Sequence, residues 1–482
     1  MAKRRVLDTA GSTIGEGALR KFENAVRGRI VWPEDEDYEA CRKVWNGMID
    51  RYPSMILFCD GVEDVRKAVD FARANNLLAA VRGGGHNVAG NAVCDGGLVI
   101  DLSGMKGIEI NAESYRARAQ AGLTWGELDR ATQTHGLATT GGIVSKTGIA
   151  GLTLGGGIGW LMRKHGLTCD NLMSAEIVTA DGRLLTATEG KNPDLYWGLR
   201  GGGGNFGIVT SFEYCLHDVS PVLAGMIVYP VERAAELLRF YRDYIATVPD
   251  ELTSMFLFLT VQPTNYLPES IHGKHAVAVH VCYSGPLEDG KRVLRPLREV
   301  CAPLADSIGV MPYVGLQSML DANSPPGLQN YWKSTYLGAL SDSCIDITVD
   351  YASKITSPLT QIHIQHMQGV VSRIPEEAMA FSHRDTLCVL NIVSKWTDPS
   401  ESERHVKWTR AFAEAMSPFS VGVYVNFLGE EGEDRVKAAY RSDKYERLVA
   451  LKNKYDPENF FRLNQNIRPS SSGRSSSFSP CL

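Results

Sequence analysis

Glycine is crowded into three stretches of the first half of this chain, at 83–104, 141–159 and 201–207, and that uneven spread limits the folds open to it. The first stretch opens with Val81-Arg82-Gly83-Gly84-Gly85-His86-Asn87. Three consecutive residues without Cβ let a backbone turn sharply and approach a ligand closely. Successive backbone N–H groups in such a turn can form a concave anion site. A histidine directly after it is placed to touch whatever carries the phosphates. Three loops of this kind imply one large cofactor held from several sides.

The rest of the chain narrows the class. With 482 residues it exceeds one ordinary core, so two or three domains are expected. Hydrophobic content of 44% and charged content of 22% are those of a globular protein. A net charge of −5 and the lack of a basic stripe argue against nucleic acid. No apolar run approaches the ~18 residues of a membrane span. The start, MAKRRVLDTAGSTIGEG, is basic without a following apolar stretch, so no signal peptide is read. The ten cysteines form no C-x-x-C pair, which removes the zinc and thioredoxin-like readings. They are expected to be mostly buried free thiols in a cytoplasmic protein.

Along the chain, Ser54 to Cys59 reads as a strand. Asp60 offers an N-cap with Glu63 three residues on, and Val62, Val65, Val69 and Ala72 follow at helical spacing to Asn75. Leu77–Val81 and Leu98–Leu102 complete a β-α-β-β unit with the triple-glycine turn after its second strand. Ala175–Ala180, Asp181-Gly182 and Leu184–Thr188 read as a hairpin. Ile208 to Tyr214 alternates as a half-buried strand, and Asp218 to Pro221 reads as a boundary. Beyond it the rhythm changes. Strands are expected at 225–229, 255–261, 276–283, 362–371, 386–393 and 421–427, with helices at 232–245, 287–300 and 401–415. Antiparallel hairpins with helices on one side imply an α+β domain. Asp434 to Tyr455 reads as one helix stopped by Asp456-Pro457. Ser470–Ser479 is low-complexity and reads as a disordered tail.

Gly202-Gly203-Gly204-Asn205-Phe206-Gly207 satisfies G-x-G-x-x-G literally. A dinucleotide fingerprint must follow a strand and open a helix. These glycines lead into a strand instead, so a Rossmann domain is rejected.

Five ordered motifs carry a resemblance over about residues 50–470. They are Arg82–His86, Gly148–Gly159 (GIAGLTLGGGIG), Trp197-Gly198-Leu199-Arg200 running into Gly201–Gly207, Tyr424-Val425-Asn426-Phe427, and Tyr455-Asp456-Pro457-Glu458-Asn459-Phe460-Phe461. In these the chain resembles the FAD-linked oxidases of the vanillyl-alcohol-oxidase type, within the berberine-bridge-enzyme-like group. The resemblance implies a split α+β FAD-binding domain of the PCMH type, at 1–218 and 428–469. An antiparallel-sheet substrate domain backed by helices is inserted at 219–427. It implies flavin contacts from Arg82, Gly83, Gly84, Gly85, His86, Asn87, Gly90, Thr147, Gly148, Gly151, Leu154, Gly155, Gly157, Ile158, Gly207, Ile208, Val209, Asn426 and Asn464.

His86 matches the family's flavin-linking histidine, so an 8α-histidyl FAD is implied; a neutral imidazole nitrogen is a competent nucleophile near neutral pH. Many relatives add a cysteine four residues before the glycine matching Gly148, where this chain has Val144. A single covalent link is therefore expected, with Cys169 as a packed thiol or pocket wall. The family's tyrosine at the end of the Tyr424–Phe427 motif is replaced by Phe427. Strand geometry puts Val425 and Phe427 on one face and Tyr424 and Asn426 on the other, so Tyr424 cannot simply substitute for a tyrosine at 427. On the strand Gln361-Ile362-His363-Ile364-Gln365-His366-Met367-Gln368-Gly369, Gln365 takes a family base position and cannot usefully accept a proton. His363 shares its face and can, or it is a polar residue on a solvated sheet. Tyr424, His363 and Gln365 are the catalytic candidates, and Tyr331 is a further pocket candidate.

The resemblance implies hydride transfer from an alcohol, sugar, alkaloid or polyketide-type substrate to flavin, with dioxygen as acceptor. The alternatives are a dehydrogenase using another acceptor and a flavin-binding protein without turnover. The fold alone does not choose a substrate.

Overall fold

The computed structural model describes residues 5–264 and 267–470. The serine-rich tail expected at the C-terminus lies, from residue 471 onward, outside the described residues. The first part of the chain builds two sheets. In the smaller, strands run in the order Arg29–Val31, Met55–Phe58, Leu98–Asp101 and Ala79–Arg82. Met55–Phe58 and Ala79–Arg82 both lie parallel to Leu98–Asp101. The helix Val62–Ala74 carries the chain from Met55–Phe58 across to Ala79–Arg82, on the far side of Leu98–Asp101, and buries Val65, Val69 and Ala72 at the spacing the sequence predicts. Its N-cap is Gly61 rather than Asp60. The acidic residue that matters is Asp64, which accepts N–H bonds from Arg27 and Gly28 at 2.8 Å and from Asp60 at 3.0 Å.

The second sheet is antiparallel, in the order Ile108–Asn111, Arg116–Gln120, Ile208–Cys215, Leu172–Val178 and Leu184–Ala187. Ile208–Cys215 is its central strand, paired along both edges, and is nearly all buried, more than simple alternation implies. It confirms that the glycines at 202–207 enter a strand.

From Val222 the chain forms a nine-stranded antiparallel sheet. Its central order is Val222–Pro230, His275–Tyr283, Leu252–Thr260, Gln361–His366, Cys388–Trp396 and Gln329–Leu337. Successive side chains leave a strand on opposite faces. Phe256, Phe258, Ile362, Ile364, Leu390 and Ile392 are buried in one core with Leu238, Tyr241 and Phe412 from the helices Ala234–Ile245 and Ser402–Ala415. Each such side chain contributes about 1.5–3 kcal/mol by leaving water. The alternate positions, Met255, Leu257, His363, Gln365, Asn391 and Lys395, face the glycine-rich part of the chain.

Three expected elements differ, and two unexpected ones are present. The strand at 421–427 stops at Gly422, and Val425–Phe427 is a 3₁₀ turn. Tyr424 and Asn426 cause the departure by bonding into the glycine-rich loops, so the strand-face separation of Tyr424 from Phe427 does not hold. The strand from Ile362 ends at His366, because Gln368 and Gly369 take positive φ and a short helix follows. The helix at 434–455 is two, Glu433–Lys437 and Ser442–Tyr455. Between them Tyr440 turns inward and its hydroxyl donates to the Gly201 carbonyl at 3.1 Å. The strand Gln329–Leu337 and the helix Asp342–Ala352 carry no simple apolar period and were not expected.

Among the described residues no helix is long and apolar enough to cross a membrane. Nor does any cluster of His, Cys, Asp or Glu there suit a metal ion. The nine described cysteines are free, and six of them are buried.

Candidate functional site

A cavity of about 370 Å³ lies between the glycine-rich loops and the large sheet. One wall is backbone. It is made by Gly83, Gly84, Gly85, His86 and Asn87, by Thr147, Gly148, Gly151, Leu154 and Ile158, and by Gly203, Gly204, Gly207, Ile208 and Val209. Two of these loops cross in direct contact: a Cβ on Gly84 would lie 2.4 Å from the Gly148 nitrogen, and one on Gly148 2.4 Å from the Gly84 nitrogen. A Cβ on Gly151 or Gly204 would meet nothing, so there the bare backbone faces open space.

Four residues expected in this wall stand behind it. Arg82 pairs with buried Asp101 and clamps the two parallel strands. Gly90 closes the turn, donating its N–H to the Asn87 carbonyl at 3.0 Å with φ +74°. Gly155 packs under Asn426, whose Oδ1 would be 2.0 Å from a Cβ there. Gly157 donates its N–H to the Tyr424 hydroxyl at 2.9 Å.

His86 faces the cavity with its ring stacked on Trp45, centroids 4.9 Å apart and planes 17° apart. Burial pushes its pKa down to about 4, so the imidazole is neutral. Trp45 is held by its N–H to the Gly85 carbonyl at 3.1 Å and by Nε1 to the Ser324 carbonyl at 3.0 Å. It meets Trp332 edge-on at 5.6 Å, and Trp332 meets Phe427 edge-on at 5.7 Å. Trp45 and Trp332 escaped the sequence analysis. Their contacts join residues hundreds of positions apart, and no local spacing marks them.

The opposite wall is the sheet. Strand register sets its residues in rows: Met226, His280, Met255 and Gln365 in one, Leu257, His363 and Asn391 in the next, Gln361, Val393 and Trp332 in a third. Burial drives His280 down to about 4 and His363 to about 3, with Lys395 adding to the effect on His363. His363 Nε2 lies 3.1 Å from Gln361 Oε1. Only 9% exposed, His363 is a cavity group and not a residue on a solvated face. Both ring nitrogens of His280, Gln365 Oε1 and Asn391 Oδ1 are buried without a hydrogen-bond partner. Buried polar atoms in native proteins are nearly always satisfied, so these await a ligand.

Of the catalytic candidates, His363, Gln365 and Tyr424 all line the cavity. The Tyr424 hydroxyl accepts N–H bonds from Gly157 at 2.9 Å, Ile158 at 3.3 Å and Asn426 Nδ2 at 2.8 Å, and burial lifts its pKa to about 12. Tyr331 points away, accepting from Arg410 Nε at 2.9 Å, and its neighbour Trp332 lines the cavity in its place. Val144 lines the cavity, while Cys169 is fully buried elsewhere with Sγ 3.6 Å from Met379 Sδ.

The C-terminal segment closes the far end. Asn464 Nδ2 donates to the Gly204 carbonyl at 3.1 Å and to Phe461 at 2.9 Å, while its buried Oδ1 has no partner. Buried Lys452 ties the segment down, donating to the Asn205 and Phe461 carbonyls at 2.9 and 2.8 Å and pairing with Asp456 at 2.7 Å. A cavity with bare backbone at three loops, unsatisfied polar atoms on the sheet wall and at Asn464, and a neutral histidine inside fits a cofactor that carries phosphates.

Comparison with known proteins agrees. Residues 53–188 match the FAD-binding domain family, and residues 423–468 match the berberine and berberine-like family. The (R)-6-hydroxynicotine oxidase of Paenarthrobacter nicotinovorans is 31% identical over 469 residues, spanning 93% of this chain and 98% of that protein. The FAD-linked oxidoreductase YgaK of Bacillus subtilis is 32% identical over 452 residues, spanning 92% and 97%. The crystal structure of 6-hydroxy-D-nicotine oxidase from Arthrobacter nicotinovorans superposes with a TM-score of 0.83 at 30% identity, covering 92% of this chain and 98% of that one. The xylooligosaccharide oxidase of Myceliophthora thermophila, at 24% identity and a TM-score of 0.82 over 94% and 99%, shares the fold.

Proposed function

The chain belongs to the berberine-like family of FAD-linked oxidoreductases, and on that premise we propose that it oxidises a small organic molecule on a flavin bound covalently through His86, with dioxygen as the acceptor. The observation that carries the reading is His86 itself. It is neutral, stacked on Trp45 and turned into a cavity walled on one side by backbone and on the other by unsatisfied polar side chains.

The glycine loops, Asn464 and the strand start Ile208–Val209 would hold the cofactor, and His86 would be the single attachment point, since Val144 has no thiol to offer. The flavin, when bound, supplies the two-electron acceptor for a C–H bond next to oxygen or nitrogen or activated by an aromatic ring. The chain's own groups do the rest. His363, His280, Gln365 and Asn391 orient the substrate on the sheet. His363, neutral and braced by Gln361, accepts the hydrogen bond of the substrate's hydroxyl or amine and orients it, its low basicity leaving the proton to pass on to solvent. Tyr424 fixes the loop at 157–158 and Asn426 rather than moving a proton, because its oxygen is committed to three donors and its own acidity is suppressed. The aromatic rings of Trp45, Trp332 and Phe427 keep water from that end of the cavity.

Acid precipitation tests the linkage. The wild-type pellet should stay yellow, and His86→Ala should release its flavin to the supernatant; free flavin from the wild-type protein would overturn the link. Peroxide formation on turnover in air, set against reduction of a dye without oxygen, tests the acceptor.

A further inference from the structure

Lys395 is the one lysine or arginine among the described residues that line the cavity, and no aspartate or glutamate lines it with them. It is 4% exposed. Its Nζ donates to the Asn323 carbonyl at 2.8 Å, and no carboxylate among the described residues lies within ion-pair distance. An ammonium carries three donors, so one carbonyl leaves it undersupplied. Other buried cations of this protein are better served. Arg384 pairs with Asp170 at 2.6 Å, Lys444 with Glu376 at 2.9 Å and Lys452 with Asp456 at 2.7 Å. Arg163 spreads its charge over the carbonyls of Leu252 and Met367 at 2.8 Å and of Val248 and Pro249 at 3.4 Å. A buried charge without a partner is costly, and here that cost is kept at a cavity wall.

The place of Lys395 in the cavity matters as much. It follows Asn391 and Val393 on the same face of the strand Cys388–Trp396. Its partner Asn323 precedes Ser324, which holds Trp45 against His86. The cation thus belongs to the substrate wall and adjoins the His86 end of the cavity. His363 and His280, the titratable groups on the neighbouring sheet face, are neutral and offer no negative charge.

We propose that Lys395 receives a carboxylate of the substrate, so that the substrate class is a small organic acid whose neutral remainder is handled by His363, Gln365 and Asn391. The proposal rests on the flavin reading only in assigning the sheet wall to the substrate. Burial holds the Lys395 amine down to about 8, and a bound carboxylate would raise it again. Affinity for the acid should be level below that pH and fall above it.

Calorimetry on the protein as purified tests this with benzoate and 4-hydroxyphenylacetate against their amides. At least one acid should bind about tenfold more tightly than its amide, or about 1.4 kcal/mol. Lys395→Met should bring the acid down to the amide's affinity and leave the amide unchanged, while Lys395→Arg retains the preference. Melting curves establish that the variants fold, and if Lys395→Met does not, Lys395→Gln and the wild-type loss of acid binding above pH 8 serve instead. Equal binding of acids and amides, no binding of any acid, or a preference that survives Lys395→Met would overturn the proposal. The visible flavin band is read separately: its absence would sink the flavin reading while calorimetry still decides this one.

Discussion

The two walls of the cavity solve opposite problems. The loop wall is built from glycine backbone packed so closely that a single Cβ at Gly84 would sit 2.4 Å from another main chain. The sheet wall is built from side chains, and it tolerates polar atoms with no partner at His280, Gln365 and Asn391. A wall of backbone suits a ligand that never changes, because main-chain geometry is fixed by the fold. A wall of side chains suits a ligand recognised by its own chemistry, since strand register fixes the positions whatever residues fill them. On the function proposed above, the loop wall would set cofactor retention and the sheet wall selectivity.

That contrast can be attacked from either side. The largest effect is expected at the loop crossing. Gly84→Val should cost about 3 kcal/mol or more and yield protein without flavin, read by urea unfolding and by absorbance; a yellow, stable variant would break the contrast. Acid comes next. His165, His280, His363 and His366 are held down to between about 3 and 4 in the folded chain, against 6.5 for a free side chain. Between pH 6.5 and 4 the unfolded chain therefore binds more protons, and stability falls as pH falls. Asp129, pushed up to about 7 by burial, acts in the opposite sense over that window but is one group against four. The melting temperature should drop by several degrees from pH 6.5 to 4.5, and a flat profile would show that these histidines are not held neutral.

Tyr424→Phe is expected to be milder. It strands three N–H donors and should cost about 1–3 kcal/mol in denaturant unfolding, with flavin content reduced only in proportion to the folded fraction. The smallest effect runs the other way. Gln365→Leu removes an unsatisfied oxygen, so stability should rise by up to about 1 kcal/mol while flavin content stays constant and turnover falls. Loss of flavin from that variant would merge the two walls into one functional unit.

The same division governs how much could be read from the sequence. The loop wall was legible because glycine clusters are a local signal: His86, Gly148, Gly151 and Ile208, named from the loop motifs, line the cavity. Gly155 and Gly157 were misplaced by one layer, because a glycine needed for a neighbour's side chain reads like one needed for a ligand. The sheet wall was legible only along single strands, as with His363 and Gln365. His280, Asn391 and Lys395 reach the cavity through cross-strand register, which no single strand encodes. Trp45 and Trp332 depend on a contact across the whole fold, and Tyr424 was put on a strand face because its hydrogen bonds to the loop at 157–158 were invisible.

The cavity draws on residues from Trp45 to Gln465. A chain emerging from the ribosome therefore exposes His86 and its glycine loop long before Asn426 covers Gly155 or Asn464 reaches Gly204. On the function proposed above, the cofactor's site is complete only once the segment through Gln465 has been synthesised, so a chain cut before that segment should fail to retain flavin.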